Sequence, residues 1–294
     1  MDGSVLVDDI RHERFTLGIG GHDVLYCDAR FADAVEGPRP VVIFVHGFKG
    51  FKDWGSNPHV CSLLARRGFY TIAFNFTRNG VEGHGQDFTR LDRFEENTFS
   101  REVAELLEVI DAVEGLRLPH FERVDSERIG LLGHSRGGGI AILGACREPA
   151  VRSVSVWGSV ATFDRYTEHQ KERWRRDGYL ESRNMRTGQE MRLGVCVLRD
   201  LELHRIELDI ERGVRQLGRP LLIVHGEQDL SVRIDDGRRL LAAADPSLTE
   251  FEPIAQTGHT FGAVHPFEGS TPALEHAIER TARFFARHLG SATR

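Results

Sequence analysis

The segment GLLGHSRGGGIAI (130–142) sets a single serine, Ser135, among glycines with apolar residues on both sides. A serine in the pattern G-x-S-x-G can do acyl-transfer chemistry when the chain reverses sharply around it. The turn exposes the hydroxyl at the head of a helix, where developing negative charge is favoured. The pattern alone is short and recurs by chance, so the weight lies in what surrounds it. RIGLLGH (128–134) is strand-like, and the residues that follow, up to Cys146, have helical spacing. Gly133 and Gly137 stand where side chains would collide as the chain turns, and Gly138, Gly139 and Ala141 let the helix lie close to the strands.

A serine hydroxyl is a poor nucleophile at neutral pH and needs a base, which in turn needs an orienting carboxylate. PLLIVHGEQD ends a strand and places Asp229 four residues beyond it. Glu227, Asp235 and Asp236 are rival acids, the last two expected on the helix that follows. QTGHTFG places His259 in a loop after a strand ending near Ile254; His265, just before Pro266, is the rival base. His259 is expected to take the Ser135 proton and return it to the leaving group, with Asp229 holding the imidazole tautomer. VVIFVHGFKG (41–50) ends another strand. Here the backbone N–H of Phe48 can join that of Arg136 as an oxyanion hole, while His46 is expected to structure the loop. Phe48, Trp54 and Trp174 are candidates for an apolar or aromatic substrate pocket, against the plainer reading of an aromatic residue as core.

Strand and helix signals alternate along the chain, the pattern of a mostly parallel sheet flanked by helices on both faces. A hairpin is expected over 13–19 and 23–31. Buried strands are expected over 41–46, 69–75, 128–134, 151–157, 220–225 and 248–254. Helices are expected over Asn57–Arg67, Ser100–Glu114, Ser135–Cys146, Ile234–Ala244 and Pro272–His288. About 60 residues, 159–218, separate two strands that one helix could connect. They predict an inserted lid on a core formed by 1–158 and 219–294, since loops after strand C-termini border the ligand crevice in such sheets. Within the insertion, Leu203, Ile206, Ile210, Val214 and Leu217 have the spacing of one amphipathic helix with a buried stripe.

The 294 residues are 40% hydrophobic and 28% charged, enough for a substantial core and unlike a disordered chain. A net charge of −6 without basic runs implies neither nucleic acid nor an anionic membrane as partner. MDGSVLVDDIRHERF lacks the basic and apolar regions of a secretion signal, so a cytoplasmic location is expected. Cys27, Cys61, Cys146 and Cys196 lie far apart and suit reduced core thiols better than disulfides or zinc ligands. No metal or organic cofactor is implied, because serine, histidine, aspartate and backbone donors suffice for acyl transfer. The oligomeric state is left open, a homodimer being one option.

On HGFKG (46–50), GHSRG (133–137), HGEQD (225–229) and TGHTF (257–261), the sequence resembles the α/β-hydrolase superfamily over nearly its whole length. The insertion resembles the small lid of bacterial cinnamoyl and feruloyl esterases. In that group the nucleophile, acid and base match Ser135, Asp229 and His259, and the oxyanion donors match Phe48 and Arg136. HGFKGFKDWG and NMRTGQEM (184–191) are similar to bacterial proteins related to dienelactone hydrolases, whose nucleophile is cysteine where this chain has Ser135. Haloalkane dehalogenases and epoxide hydrolases carry an aspartate there, which disfavours their chemistry. The resemblance implies an α/β-hydrolase fold and a serine hydrolase acting on a small-molecule ester. The alternatives are a serine aminopeptidase or amidase on the same residues, or a non-catalytic binding protein.

Overall fold

The computed structural model describes residues 9–290 other than His22 and Val35. Residues 1–8, on which the expectation of no secretion signal partly falls, residues 291–294 of the expected core, and His22 of the expected hairpin turn lie outside the described residues.

Among the described residues eight strands form the central sheet: β1 (Ile10–Gly18), β2 (Val24–Ala32), β3 (Arg39–Val45), β4 (Tyr70–Asn75), β5 (Val124–His134), β6 (Val151–Trp157), β9 (Leu221–Gly226) and β10 (Thr249–Ile254). Two more, β7 (Tyr179–Arg183) and β8 (Glu190–Gly194), form a separate antiparallel hairpin. The main sheet runs in the order β1-β2-β4-β3-β5-β6-β9-β10. β1 and β2 pair antiparallel, and β2 pairs antiparallel with β4; every other pairing is parallel. The helices are α1 (Asn57–Arg66), α2 (Leu91–Glu95), α3 (Phe99–Glu114), α4 (Arg136–Arg147), α5 (Glu168–Asp177), α6 (Val195–Leu203), α7 (Ile210–Gln216), α8 (Ile234–Ala243) and α9 (Pro272–Leu289). The strands and helices expected in the main body appear in their expected order, with boundaries moved by a few residues; the short α2, between β4 and α3, was not expected.

Strand side chains alternate between the two faces of the sheet, and the core divides accordingly. Val41, Ile43, Leu131, Val154 and Ile223 join α3 and α4 on one face, whereas Val42, Phe44, Leu132, Leu222 and Val224 join α1 and α9 on the other. These strands are buried on both sides, which is why they read as unbroken apolar runs. Parallel pairing directs the C-terminal ends of β3, β5, β6, β9 and β10 to one edge, where the loops at 46–56, 158–167, 227–233 and 255–271 gather.

Residues 159–218 leave the sheet between β6 and β9. They contain α5, the β7–β8 hairpin, α6 and α7, and their apolar side chains continue the core on the α3–α4 face. The segment is fastened to the body: Asp200 accepts hydrogen bonds from the backbone N–H (3.0 Å) and hydroxyl of Ser100, and Lys49 Nζ donates to Arg183 O at 2.5 Å. The single amphipathic helix expected here is not formed. α6 ends at Leu203, and Asp209 caps a new helix by accepting from Arg212 N at 2.9 Å. Counting across that break places the stripe on two helices of unrelated phase, so Ile210, Val214 and Leu217 are buried while Leu203 is 77% and Ile206 54% exposed.

Candidate active site

β5 delivers Ser135 to the C-terminal edge of the sheet, and α4 starts at the next residue. Ser135 adopts φ 59°, ψ −121°, a backbone conformation that costs an L-residue energy. The turn is held by Ser135 N donating to Trp157 O at 2.8 Å and by Gly138 N and Val160 N donating to Ser135 O. The glycines are demanded by close approach. A Cβ at position 133 would lie 2.3 Å from Gly137 O, and one at position 137 would lie 2.2 Å from Val45 O.

His259 comes from the loop after β10. Its Nδ1 lies 2.7 Å from Asp229 Oδ2, in the loop after β9. Asp229 Oδ1 accepts the backbone N–H groups of Ser231 and Val232, both at 2.9 Å. Burial alone would disfavour the charged carboxylate. The hydrogen bond and charge of His259, with those two backbone bonds, outweigh burial and hold the Asp229 carboxyl below the ordinary range. An ionised Asp229 makes Nδ1 the protonated nitrogen, leaving Nε2 with a lone pair. The two loops are tied by Gln228 N donating to Thr257 O at 2.9 Å, and His134 Nε2 donates to His259 O at 2.9 Å. Burial followed by the neighbouring His259 pushes His134 down to about 3, so it acts as a neutral donor.

Ser135 and His259 share the wall of one cavity of about 310 Å³, with Asp229 behind the imidazole. The rival acids are elsewhere: Glu227 is exposed, Asp235 lies on α8, and Asp236 on the same helix accepts from Ala161 N and pairs with Arg165. The rival base His265 accepts from Gly55 N at 2.8 Å and stacks on Trp54. His46 is buried, which pushes it down to about 4; its Nδ1 donates to Gly47 O and its Nε2 accepts from Phe76 N, the loop-structuring part expected of it.

Phe48 and Arg136 both line the cavity, and their backbone N–H groups donate to no protein acceptor among the described residues. Neither tryptophan lines it. Trp174 is fully buried inside the insertion, its indole N–H donating to Leu193 O at 2.7 Å, because α5 turns that face inward. Trp54 packs against the main core and His265. The aromatic and apolar walls come instead from Phe48, Phe99, Val160, Phe163 and Tyr166.

Sequence reasoning passed over Phe99; it expected the segment after β6 to border the crevice but did not single out Val160, Phe163 and Tyr166 as its wall residues. It also passed over Gly158, whose φ is +49° and where a Cβ would sit 3.1 Å from His259 Nδ1 and 3.2 Å from Asp229 Oδ2.

The chain is similar to known proteins in sequence and in overall fold. The sequence profile described as the alpha/beta hydrolase family matches residues 42–273. A curated protein, 2,6-dihydropseudooxynicotine hydrolase of Paenarthrobacter nicotinovorans, is 27% identical over 197 residues, 66% of this chain and 45% of its own length. The chain thus spans less than half of that relative. Among solved structures, the esterase domain of a Rhodothermus marinus protein superposes with a TM-score of 0.62 at 19% identity, covering 96% of this chain and 100% of that one. A dienelactone hydrolase from Anabaena variabilis superposes with a TM-score of 0.60 at 17% identity, covering 95% and 99%. At such identities these likenesses speak to the fold. No helix among the described residues is long and apolar enough to cross a membrane.

Proposed function

Because the chain belongs to the alpha/beta hydrolase family and is a hydrolase of that superfamily, we propose that it is a serine carboxylic ester hydrolase working through an acyl-enzyme. The observation that carries this reading is the strained Ser135 on the same cavity wall as His259, with Asp229 bonded to His259 from behind. His259 Nε2 takes the Ser135 proton as Oγ attacks the ester carbonyl carbon. The carbonyl oxygen becomes an oxyanion that accepts from the N–H groups of Phe48 and Arg136, whose lack of protein partners supports that use. The imidazolium, stabilised by the ionised Asp229, protonates the departing alcohol; water then repeats the sequence on the acyl-enzyme and frees the acid.

A strained serine conformation persists only where surrounding structure enforces it, and binding alone does not call for one, which argues against a non-catalytic module. The small cavity and its phenyl walls support short-chain or cinnamoyl-type acyl groups. The insertion serves as a lid in this reading, since Val160, Thr162, Phe163, Arg165 and Tyr166 at its start form one wall.

The test is a panel of short p-nitrophenyl esters, methyl ferulate and aminoacyl amides on purified protein, with Ser135→Ala as control. Ester turnover that falls by at least about 10³-fold in the folded variant is expected. Substantial activity in Ser135→Ala would sink the mechanism, and preferred cleavage of the amides would make the protein an amidase.

A further inference from the structure

The side chain of Arg136 is unaccounted for by the chemistry above, which uses only its backbone N–H. It is 8% exposed and forms part of the cavity wall beside Ser135. Its guanidinium carbon lies 4.1 Å from the centre of the Phe48 ring and 4.7 Å from that of Phe99. Each ring is backed by another, Phe48 by Phe94 and Phe99 by Phe163, so the guanidinium is held in a rigid aromatic setting.

A buried cation ordinarily finds an anion in a short, two-pronged contact. Arg136 does not. Among the described residues its one ionic contact is Nη1 to Glu102 Oε1 at 3.4 Å, and that same oxygen already accepts from Asn97 Nδ2 at 2.7 Å. The other Glu102 oxygen has no partner among the described residues. Burial, only partly opposed by Arg136, pushes the Glu102 carboxyl up, which weakens it further as a countercharge. The remaining Arg136 donors meet no protein acceptor among the described residues and are not sealed off, so they open onto the cavity. The cavity's other guanidinium, on Arg165, is already engaged by Asp236 and Ser231 O.

We propose that the Arg136 guanidinium is a carboxylate-binding site in this cavity, and that the preferred substrate is a small ester whose acyl group carries a second, ionised carboxyl group. The proposal rests on the ester-hydrolase reading for its chemistry, but not for its binding. The phenyl rings flank the carbon spacer, and the free guanidinium edge takes the carboxylate while the ester carbonyl lies at Ser135.

The test compares monomethyl adipate with methyl hexanoate, which has a methyl group in place of the carboxylate. The expected wild-type preference in kcat/KM is about tenfold or more for the anionic ester, as a buried charge-assisted hydrogen bond gives. Arg136→Met brings the ratio close to one. Glu102→Gln, which removes the competing countercharge, raises it above the wild-type value. Loss of a purely structural ion pair would slow both esters together and leave their ratio unchanged.

Equal kcat/KM for the two esters in the wild type overturns the proposal, while Ser135-dependent hydrolysis of both leaves the ester-hydrolase reading intact. Calorimetric titration of the inactive Ser135→Ala variant with monomethyl adipate and methyl hexanoate reads the site without turnover. Monomethyl adipate binding at least about tenfold tighter supports the proposal, and equal affinity or no binding of monomethyl adipate overturns it. Should Arg136→Met fail to fold, the opposite-signed effect of Glu102→Gln decides, and a ratio that falls in that variant refutes the site.

Discussion

Replacing Ser135 by glycine should make the protein more stable while abolishing its activity. Ser135 is held at φ 59°, ψ −121°, a region nearly reserved for glycine. Holding an L-residue there costs about 1–3 kcal/mol. Glycine escapes that cost but loses more backbone freedom on folding, which takes back about 0.4–1 kcal/mol. The net gain is about 0.5–2 kcal/mol, or about 1–3 °C in Tm for a chain of this length. Ser135→Ala is the control, because it removes the hydroxyl but keeps Cβ and therefore the strain. Both variants are expected to be inactive towards p-nitrophenyl esters. Thermal melts followed by circular dichroism should place Ser135→Gly above both the wild type and Ser135→Ala, with the last two within about 1 °C. A glycine variant that melts at or below the alanine variant would refute the reasoning, since the turn would then hold no strain to release.

Asp229→Asn should fold normally and lose about 10³- to 10⁴-fold in kcat, because an amide favours the wrong imidazole tautomer; an unchanged rate in a steady-state ester assay would assign the acid elsewhere. Glu105 is buried beneath Thr77, and burial, only partly opposed by hydrogen bonds from Thr77, raises its carboxyl from 4.5 to about 7. The folded protein keeps a proton that the unfolded chain has released, so this group's contribution to stability is present below about pH 4.5 and lost as pH rises through about 7. The Tm of Glu105→Gln relative to wild type should therefore climb across that window and then level off, and a flat difference would contradict the burial argument. Trp174→Phe should lower stability by about 1 kcal/mol through loss of the indole bond to Leu193 O while leaving KM for esters unchanged; a raised KM in a stable variant would return Trp174 to the substrate pocket.

Much of the main body was legible in the sequence because its signals are local. Apolar runs such as VVIFV and LLIVH mark strands buried on both faces, and Pro272, Thr271 and the spacing of Leu274, Ile278 and Phe285 mark the last helix. The insertion was harder. Its charged first half hid α5, although Thr167 and Gln170 spell out the capping box that starts it. The β7–β8 hairpin shows weak alternation, and the break at Asp209 defeated the count of a single apolar stripe.

The sequence by itself determined the order of the main-sheet strands and the longer helices packed on them, and the positions of Ser135, Asp229 and His259 just beyond strand ends, because periodicity, glycine turns and caps act over a few residues. Only the tertiary structure decided which acid meets His259 and that Trp174 turns inward while Phe99 and Phe163 face the cavity. It also set Arg136 between two phenyl rings with a distant partner in Glu102. These are contacts between residues tens to more than a hundred positions apart. Their geometry is fixed by how parallel strands stack and how the insertion folds back, and no local pattern carries that information.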